Sequence, residues 1–332
     1  MLLTQMEKKL LLVYTVLMFV SLFSTIFITE KYPCKEEFIV NKRIRIIYTC
    51  GKIEPNFQEI YEQNQEMVGN FDVHTYSPLL KSSNITPEDW NKIAKDIRDA
   101  YRNYDAFVIV HNSNTLAYTA SAISFMLENL GKPVIFTEGE LLTSLIVASR
   151  YRIPEVIVVS GKDILRGCRS MNVSNTKFIS PNYPCLTEET SLNAPHEMMQ
   201  IKFINPNVKV AVVKVFPGID AKFLTNIAKQ NTIHGIVLEL YGDGTAPIDD
   251  NFLVVIEELV KKGVIIISVS QNPKVYRQYT TNMGLLNAGV VPGGDMTTPA
   301  AFGKLYYLLS NVKDKKVLGQ LVENNFRGEL TN

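Results

Sequence analysis

Several signatures of common function classes are missing from this sequence of 332 residues. Its 34 lysines and arginines nearly balance 33 aspartates and glutamates, and they form no basic block, so there is no electrostatic footprint for nucleic acid. The four histidines are scattered and show no metal-ligand spacing. No glycine-rich loop has the spacing that cradles a phosphate. We therefore expect neither a nucleic-acid partner nor a metal or other cofactor.

Cysteines are few, but their number is even. Four would suit an oxidising compartment without requiring one, and the sequence does not choose among their pairings. Two segments, Asn84-Ile85-Thr86 and Asn172-Val173-Ser174, match the glycosylation acceptor pattern and favour a luminal domain without establishing it. The cysteines are Cys34, Cys50, Cys168 and Cys185.

An apolar run without charges lies near the N-terminus, from Leu10 to Ile28. It is long enough to cross a bilayer as a helix. A cleaved signal peptide is the alternative, but residues 25–28 offer no small-x-small cleavage site. We expect a retained anchor over 10–29 and a single-pass membrane protein of the secretory pathway, with the folded domain luminal or extracellular. Lysines on both sides of the run leave its orientation open.

Patterns typical of strands and helices alternate along the rest of the chain. Residues 44–48, 106–110 and 133–137 have the short β-branched character of buried strands. Thr86 and Pro87 mark the start of a helix, and a second helix is expected over 119–130, ended by Gly131. The alternation of strands with helices favours a parallel sheet covered on both faces, in which ligands bind at the carboxyl ends of the strands. Residues 49–52 and 111–114 both follow such ends, so we expect them at one site.

A second unit with the same alternation begins near Asn205. It has strand patterns at residues 208–213, 236–240 and 264–269. We therefore divide the chain into a short tail (1–9), a transmembrane anchor (10–29), a linker (30–42), an N-terminal domain (43–204) and a C-terminal domain (205–332).

Residues 110–122 carry the most informative motif, VHNSNTLAYTASA. This segment resembles the His-Gly-Thr-Asp-Thr-Met-Ala-Tyr-Thr-Ala-Ser-Ala segment of the bacterial-type L-asparaginases. Together with the stretches given below, it makes the chain similar to that family, nearer its type I branch, over roughly residues 43–312. The resemblance implies a two-domain α/β fold, with a larger parallel-sheet domain before a smaller α/β domain, and a homo-dimer or homo-tetramer. The supporting stretches are PLLKSSN (78–84), PEDW (87–90), SFMLENLGKPVIFT (124–137), LRG (165–167), SPNYP (180–184), FPGI (216–219), YGDGTAP (241–247) and GDMT (294–297).

The resemblance also implies where the reactive residues stand, and these positions are substituted. The family's nucleophilic threonine falls on Lys52, its threonine–aspartate pair on Ser113 and Asn114, and the lysine that works with that pair on Asn172. A lysine has no hydroxyl to acylate. An asparagine cannot supply the negative charge that holds a substrate's ammonium group. Only the change to Ser113 keeps the chemistry of the original side chain.

Two interpretations of Lys52 stay open. It either replaces the nucleophile structurally or, since it lies across the pocket from Ser113 in the family fold, forms a serine–lysine dyad with it, which would require its pKa to fall by burial. Ser82 and Ser83 keep the family's substrate-binding positions, and Asn114 is expected to contact the substrate with them. His111 is expected to belong to the scaffold rather than to act as a general base.

We predict a membrane-anchored, catalytically degenerate asparaginase-family protein that binds a small amino acid or amide, or regulates a partner. The alternative is an active amidohydrolase that converts L-asparagine to L-aspartate and ammonia with Ser113 and Lys52. A third interpretation is a sensor that binds an amino acid without turnover.

Overall fold

The computed structural model describes residues 42–50, 61–62, 68–174, 177–183, 185–229, 233–247, 250–272 and 283–331. All of them belong to one compact unit, Val40–Asn332.

The strands form two main sheets and two short antiparallel pairs. The described strands are β1 (Arg43–Tyr48), β2 (Asn70–Thr75), β3 (Ala106–Val110), β4 (Leu127–Glu128), β5 (Val134–Thr137), β6 (Val156–Ser160), β7 (Asp163–Arg166), β8 (Met171–Ser174), β9 (Lys177–Ile179), β10 (Gln200–Ile201), β11 (Val210–Lys214), β12 (Gly235–Leu240), β13 (Ile265–Ser270) and β14 (Val291–Pro292). The larger sheet has the order β2-β1-β3-β5-β6-β7, and only its last pair is antiparallel. The smaller sheet, β11-β12-β13-β14, is wholly parallel.

Helices cover these sheets. The described α-helices are α1 (Pro87–Ala100), α2 (Ser113–Met126), α3 (Leu141–Arg150), α4 (Ala221–Lys229), α5 (Asp250–Lys261), α6 (Met283–Asn287), α7 (Thr298–Asn311) and α8 (Lys315–Glu323). Short 3-10 turns stand at Ser82–Asn84 and Gly167–Arg169. The predicted α/β class, with a larger N-terminal and a smaller C-terminal parallel sheet, is confirmed. The boundary between residues 204 and 205 stays a prediction.

Local sequence explains the elements that frame the larger sheet. All five residues of β3 are buried, as expected for a central parallel strand covered on both faces. Helix α1 begins where a capping box places it: the Thr86 backbone N–H donates to Asp89 at 2.8 Å, and Pro87 takes the first helical position.

Helix α2 is the buried centre of the molecule. Eleven of its 14 residues are buried, because one side packs on the larger sheet and another meets α7 of the C-terminal half. The two helices approach closely at Gly303, where a Cβ would stand 3.0 Å from the backbone nitrogen of Ala122. A residue without a side chain permits this contact.

The predicted transmembrane helix and single-pass location are not supported by the part of the chain described above. Its longest α-helices, which include α1, α2 and α7, have 14 residues, about 21 Å at 1.5 Å per residue. A bilayer core is about 30 Å thick, and no helix in this part is long and apolar enough to cross it. The apolar run from Leu10 to Ile28 lies outside the described residues.

Candidate functional site

The candidate site lies where β1, β3 and β5 end. Thr49 and Cys50 follow β1, while His111 and Asn112 follow β3. The two segments are bonded to each other, since the Thr49 N–H donates to the Val110 carbonyl at 3.2 Å and the Asn112 N–H donates to the Cys50 sulfur at 3.0 Å. The two segments thus meet at one edge of the sheet, as expected from the sequence. Lys52 lies outside the described residues.

His111 is fully buried beneath this edge. The Thr49 hydroxyl donates to the Val110 carbonyl at 2.9 Å, so its oxygen is left to accept from the His111 Nδ1, 2.7 Å away. This arrangement assigns the imidazole proton to Nδ1. Burial lowers the pKa of His111 from 6.5 to about 4, so the ring is neutral at physiological pH.

The other ring nitrogen of His111 is also occupied. Its Nε2 lies 3.2 Å from the Thr115 hydroxyl and 3.1 Å from the Thr119 hydroxyl. The Thr119 oxygen accepts from the Trp90 indole at 3.2 Å, which leaves its own proton for the histidine. A neutral ring with both nitrogens bonded inside the protein fits the scaffold role and not that of a general base.

Asn112 connects the site's polar groups. As the N-cap of α2, its Oδ1 accepts from the backbone N–H of Asn114 at 3.1 Å and from the Ser82 hydroxyl at 2.9 Å. Its Nδ2 donates to Glu138 Oε1 at 2.8 Å. Sequence reasoning assigned no role to Asn112 or Glu138. An asparagine before a helix was the available signal for the first, whereas the second depends on tertiary contacts.

The substituted family positions stand around the start of α2. Ser113 is its first residue and is buried, and its carbonyl accepts from the Asn172 side-chain amide at 3.2 Å. Asn114 is exposed beside it.

The two serines that keep substrate-binding positions differ in placement. The Ser82 hydroxyl lies 3.1 Å from the Thr115 hydroxyl as well as being bonded to Asn112, so it belongs to the site. Ser83 is exposed, and its hydroxyl donates to Asn84 at 3.2 Å. The structure therefore brings Ser82, but not Ser83, into one polar cluster with Asn112, Thr115 and Glu138.

The thiols near the site carry no disulfide among the residues that the structure describes. Burial raises the pKa of the Cys50 thiol, and the charge of Glu138 adds to that rise. Burial likewise raises the pKa of Cys168, whose sulfur contacts the Arg327 carbonyl at 3.3 Å. Both cysteines are therefore neutral thiols at physiological pH. Within the same residues, no group of three or more His, Cys, Asp or Glu side chains is arranged to hold a metal.

Comparison with known proteins assigns the family. Residues 48–198 match the domain described as "Asparaginase, N-terminal", and residues 209–321 match the "Glutaminase/Asparaginase C-terminal domain". The chain belongs to the asparaginase family. The resemblance to bacterial type I asparaginases is confirmed.

Individual relatives agree with this assignment. The chain is 37% identical to L-asparaginase 1 of Escherichia coli over 313 residues, covering 86% of this chain and 92% of that protein. L-asparaginase I of Vibrio cholerae superposes with a TM-score of 0.79 at 32% identity, over 88% of this chain and 100% of that one. L-asparaginase of Thermococcus kodakarensis gives a TM-score of 0.74 at 26% identity, over 87% and 99%. The two-domain asparaginase fold is thus established.

A more distant structure shares the same fold. A structure titled as a probable cytoplasmic L-asparaginase from Campylobacter jejuni shares the fold, with a TM-score of 0.69 at 18% identity over 86% of this chain and 100% of that one. The predicted single-pass membrane location, with a luminal or extracellular domain, is corrected by the helices of the described ranges, none of which is long and apolar enough to cross a membrane. Membership of the asparaginase family is consistent with the predicted homo-oligomer.

Proposed function

We propose that this asparaginase-family protein binds a small amide or amino acid at the carboxyl edge of its larger sheet and has lost rapid amide hydrolysis. It would then act as a binding or partner-regulating module. One observation carries the proposal: two of the family's reactive positions, Asn114 and Asn172, hold neutral amides beside Ser113. The Ser113 carbonyl accepts from the amide of Asn172 at 3.2 Å, and the next residue is the neutral, exposed Asn114.

Hydrolysis needs a base that can take the proton of the attacking hydroxyl. His111 is the nearest imidazole in sequence, but its two ring nitrogens face the hydroxyls of Thr49, Thr115 and Thr119. Its low pKa also makes it a weak proton acceptor. The geometry therefore supports recognition better than acyl transfer.

The polar cluster keeps groups that suit a small amide ligand. It offers the hydroxyls of Ser82 and Thr115, the side-chain amide of Asn112 and the carboxylate of Glu138 within one network. Such convergent polar groups at a strand-end edge are typical of small-molecule sites in α/β proteins.

The deciding experiment measures turnover and binding on the full chain. We expect ammonia release from L-asparagine to equal that of the Ser113→Ala variant, while calorimetry detects binding of asparagine, aspartate or glutamine to the wild type. Ammonia release that Ser113→Ala abolishes would contradict the loss of catalysis. Absence of heat with all three ligands would contradict the binding role.

An active amidohydrolase that uses Ser113 with Lys52 is the second candidate. It is supported by the 37% identity to a protein named L-asparaginase 1 and by the hydroxyl that Ser113 retains. In that case the wild type releases ammonia from L-asparagine and Lys52→Met removes the activity, because a deprotonated lysine would be the base. An inactive wild type refutes this candidate.

A further inference from the structure

Only one of the two carboxylate oxygens of Glu138 is hydrogen-bonded within the polar cluster. Glu138 follows β5 directly, and its Oε1 accepts from Asn112 at 2.8 Å. Its other oxygen, Oε2, is buried and has no hydrogen-bond partner among the residues that the structure describes. A buried carboxylate oxygen without a donor is costly, because it has lost its hydration without replacement. The arrangement therefore calls for a donor that the polar cluster does not itself supply.

The position of Glu138 indicates where that donor would belong. Its partner Asn112 also bonds to Ser82 and to the backbone of Asn114. The Asn112 side chain therefore connects the Glu138 carboxylate to both residues. The negative charge of Glu138 also contributes to the raised pKa of the Cys50 thiol. Glu138 thus faces the same strand-end edge as the substituted family positions.

We propose that Glu138 is the ammonium-binding residue of this site and selects ligands that carry a primary amine. The inference rests on the proposed function, since it assumes that a small amino acid or amide binds here. A protonated amine offers three donors and a full positive charge, which is what an orphaned carboxylate oxygen requires. Asn114 is neutral, so the negative charge would come from the turn after β5 and not from the start of α2.

Glu140 provides a matched comparison on the same turn. It is half-buried, and burial raises the pKa of its carboxyl group. Its backbone makes two hydrogen bonds: the N–H donates to the Thr137 hydroxyl at 3.2 Å, and the carbonyl accepts from the Ser144 hydroxyl. Removing its charge therefore changes the local field without touching the Asn112 network.

The test uses the full chain and two ligands that differ only in the amine, L-asparagine and succinamic acid, which lacks the α-amine. We expect wild-type protein to bind asparagine at least about 10-fold more tightly, the value of one charge-assisted contact. Glu138→Gln keeps an acceptor for Asn112 and removes the charge. It should erase this preference by weakening asparagine about 10-fold or more, with succinamic acid changed less than about 3-fold. Glu140→Gln should keep the preference.

Each other result has a distinct meaning. If wild-type protein binds both ligands equally, or Glu138→Gln weakens both alike, this inference is wrong while the proposed binding function stands. If it binds neither, the proposed function fails as well. A third result would be that Lys52→Met tightens asparagine binding while Glu138→Gln does not weaken it. The Glu138 carboxylate would then bind a cation of the chain itself and not the ligand's amine, and the inference would be wrong. The wild-type comparison needs no variant, so it holds even if Glu138→Gln does not fold.

Discussion

Single uncharged polar residues organise the site more than charged ones do. His111 bonds to the hydroxyls of Thr49 and Thr119 from opposite sides of its ring, and Asn112 bonds to a helix terminus and to one carboxylate oxygen of Glu138 with its side-chain amide. Since buried polar groups are costly when unpaired, these residues fix the relative positions of β1, β3 and β5. The network accounts for the placement of the candidate site without any catalytic role for the histidine.

The buried imidazole gives a pH-dependent stability. His111 has a pKa of about 4 in the folded chain against 6.5 when unperturbed, so below pH 6.5 the unfolded chain takes up a proton that the native state refuses. Stability is therefore full above pH 6.5 and falls towards pH 4. We expect protonation of His111 in the unfolded chain to lower the free energy of unfolding by about 2 kcal/mol between pH 7.5 and pH 5.

Two measurements check this expectation. Urea unfolding at both pH values gives the stability change, and NMR follows the His111 ring protons directly, with assignment by His111→Gln. The ring should not titrate between pH 8 and pH 5.5. A titration midpoint near 6.5 would show that the imidazole is hydrated and that its assigned bonding is wrong.

At the scale of the element, the sequence predicted most where the local signal is strong. The strand pattern at 106–110 has the observed bounds of β3, and the Thr86–Pro87 signal marks the start of α1. The helix expected over 119–130 instead runs Ser113–Met126, because Asn112 caps it six residues earlier. Local patterns find an element more readily than its ends.

The parts of the site that depend on local sequence were likewise the predictable ones. That residues 49–50 and 111–114 meet was predictable, because parallel strands bring their carboxyl ends together. The contact between Asn112 and Glu138 was not predictable from either residue, since it depends on the register of β3 against β5. Ser83 was expected in the site and is exposed, because the 3-10 turn at Ser82–Asn84 directs only Ser82 towards Asn112.

Two glycines, one at the crossing of α2 and α7 and one on α8, should respond oppositely to replacement by alanine. Gly303→Ala would place a Cβ 3.0 Å from the nitrogen of Ala122 and 3.1 Å from the carbonyl carbon of Ser121. Because both are backbone atoms of a buried helix, we expect a net loss of about 1–3 kcal/mol despite the better helix propensity of alanine. Gly319 on α8 meets only a Val291 methyl at 3.8 Å, so Gly319→Ala should stabilise by about 0.5–1 kcal/mol. Chemical denaturation of the two variants compares them, and equal effects would mean that the helices can separate at no cost.

At the scale of the whole molecule, the C-terminal segment ties the two halves together. Arg169, next to the larger sheet, pairs with Asp295 at 2.9 Å, and Arg166 donates to the Gly328 carbonyl at 3.3 Å. Within the C-terminal half, Lys304 and Glu329 form an ion pair at 2.6 Å with both side chains fully buried. This burial was not predictable, since a lysine in a helical pattern is ordinarily exposed. The stability of the fold therefore depends on buried charged side chains, including Lys304 on α7.

The buried pair Lys304–Glu329 should be among the most sensitive points of the chain. Lys304→Met keeps the side chain's length but leaves the Glu329 carboxylate without its cation, and it removes donors to the carbonyls of Val322 and Asn324. Breaking one side of a buried ion pair costs about 3–5 kcal/mol, so we expect a loss of that size in urea unfolding at neutral pH. The double variant with Glu329→Gln should recover part of the loss, because it also removes the stranded charge. Lys316→Met, the same replacement at an exposed position of α8, should change stability by less than about 0.5 kcal/mol. If Lys304→Met costs no more than Lys316→Met, the pair adds nothing to the stability of the C-terminal half.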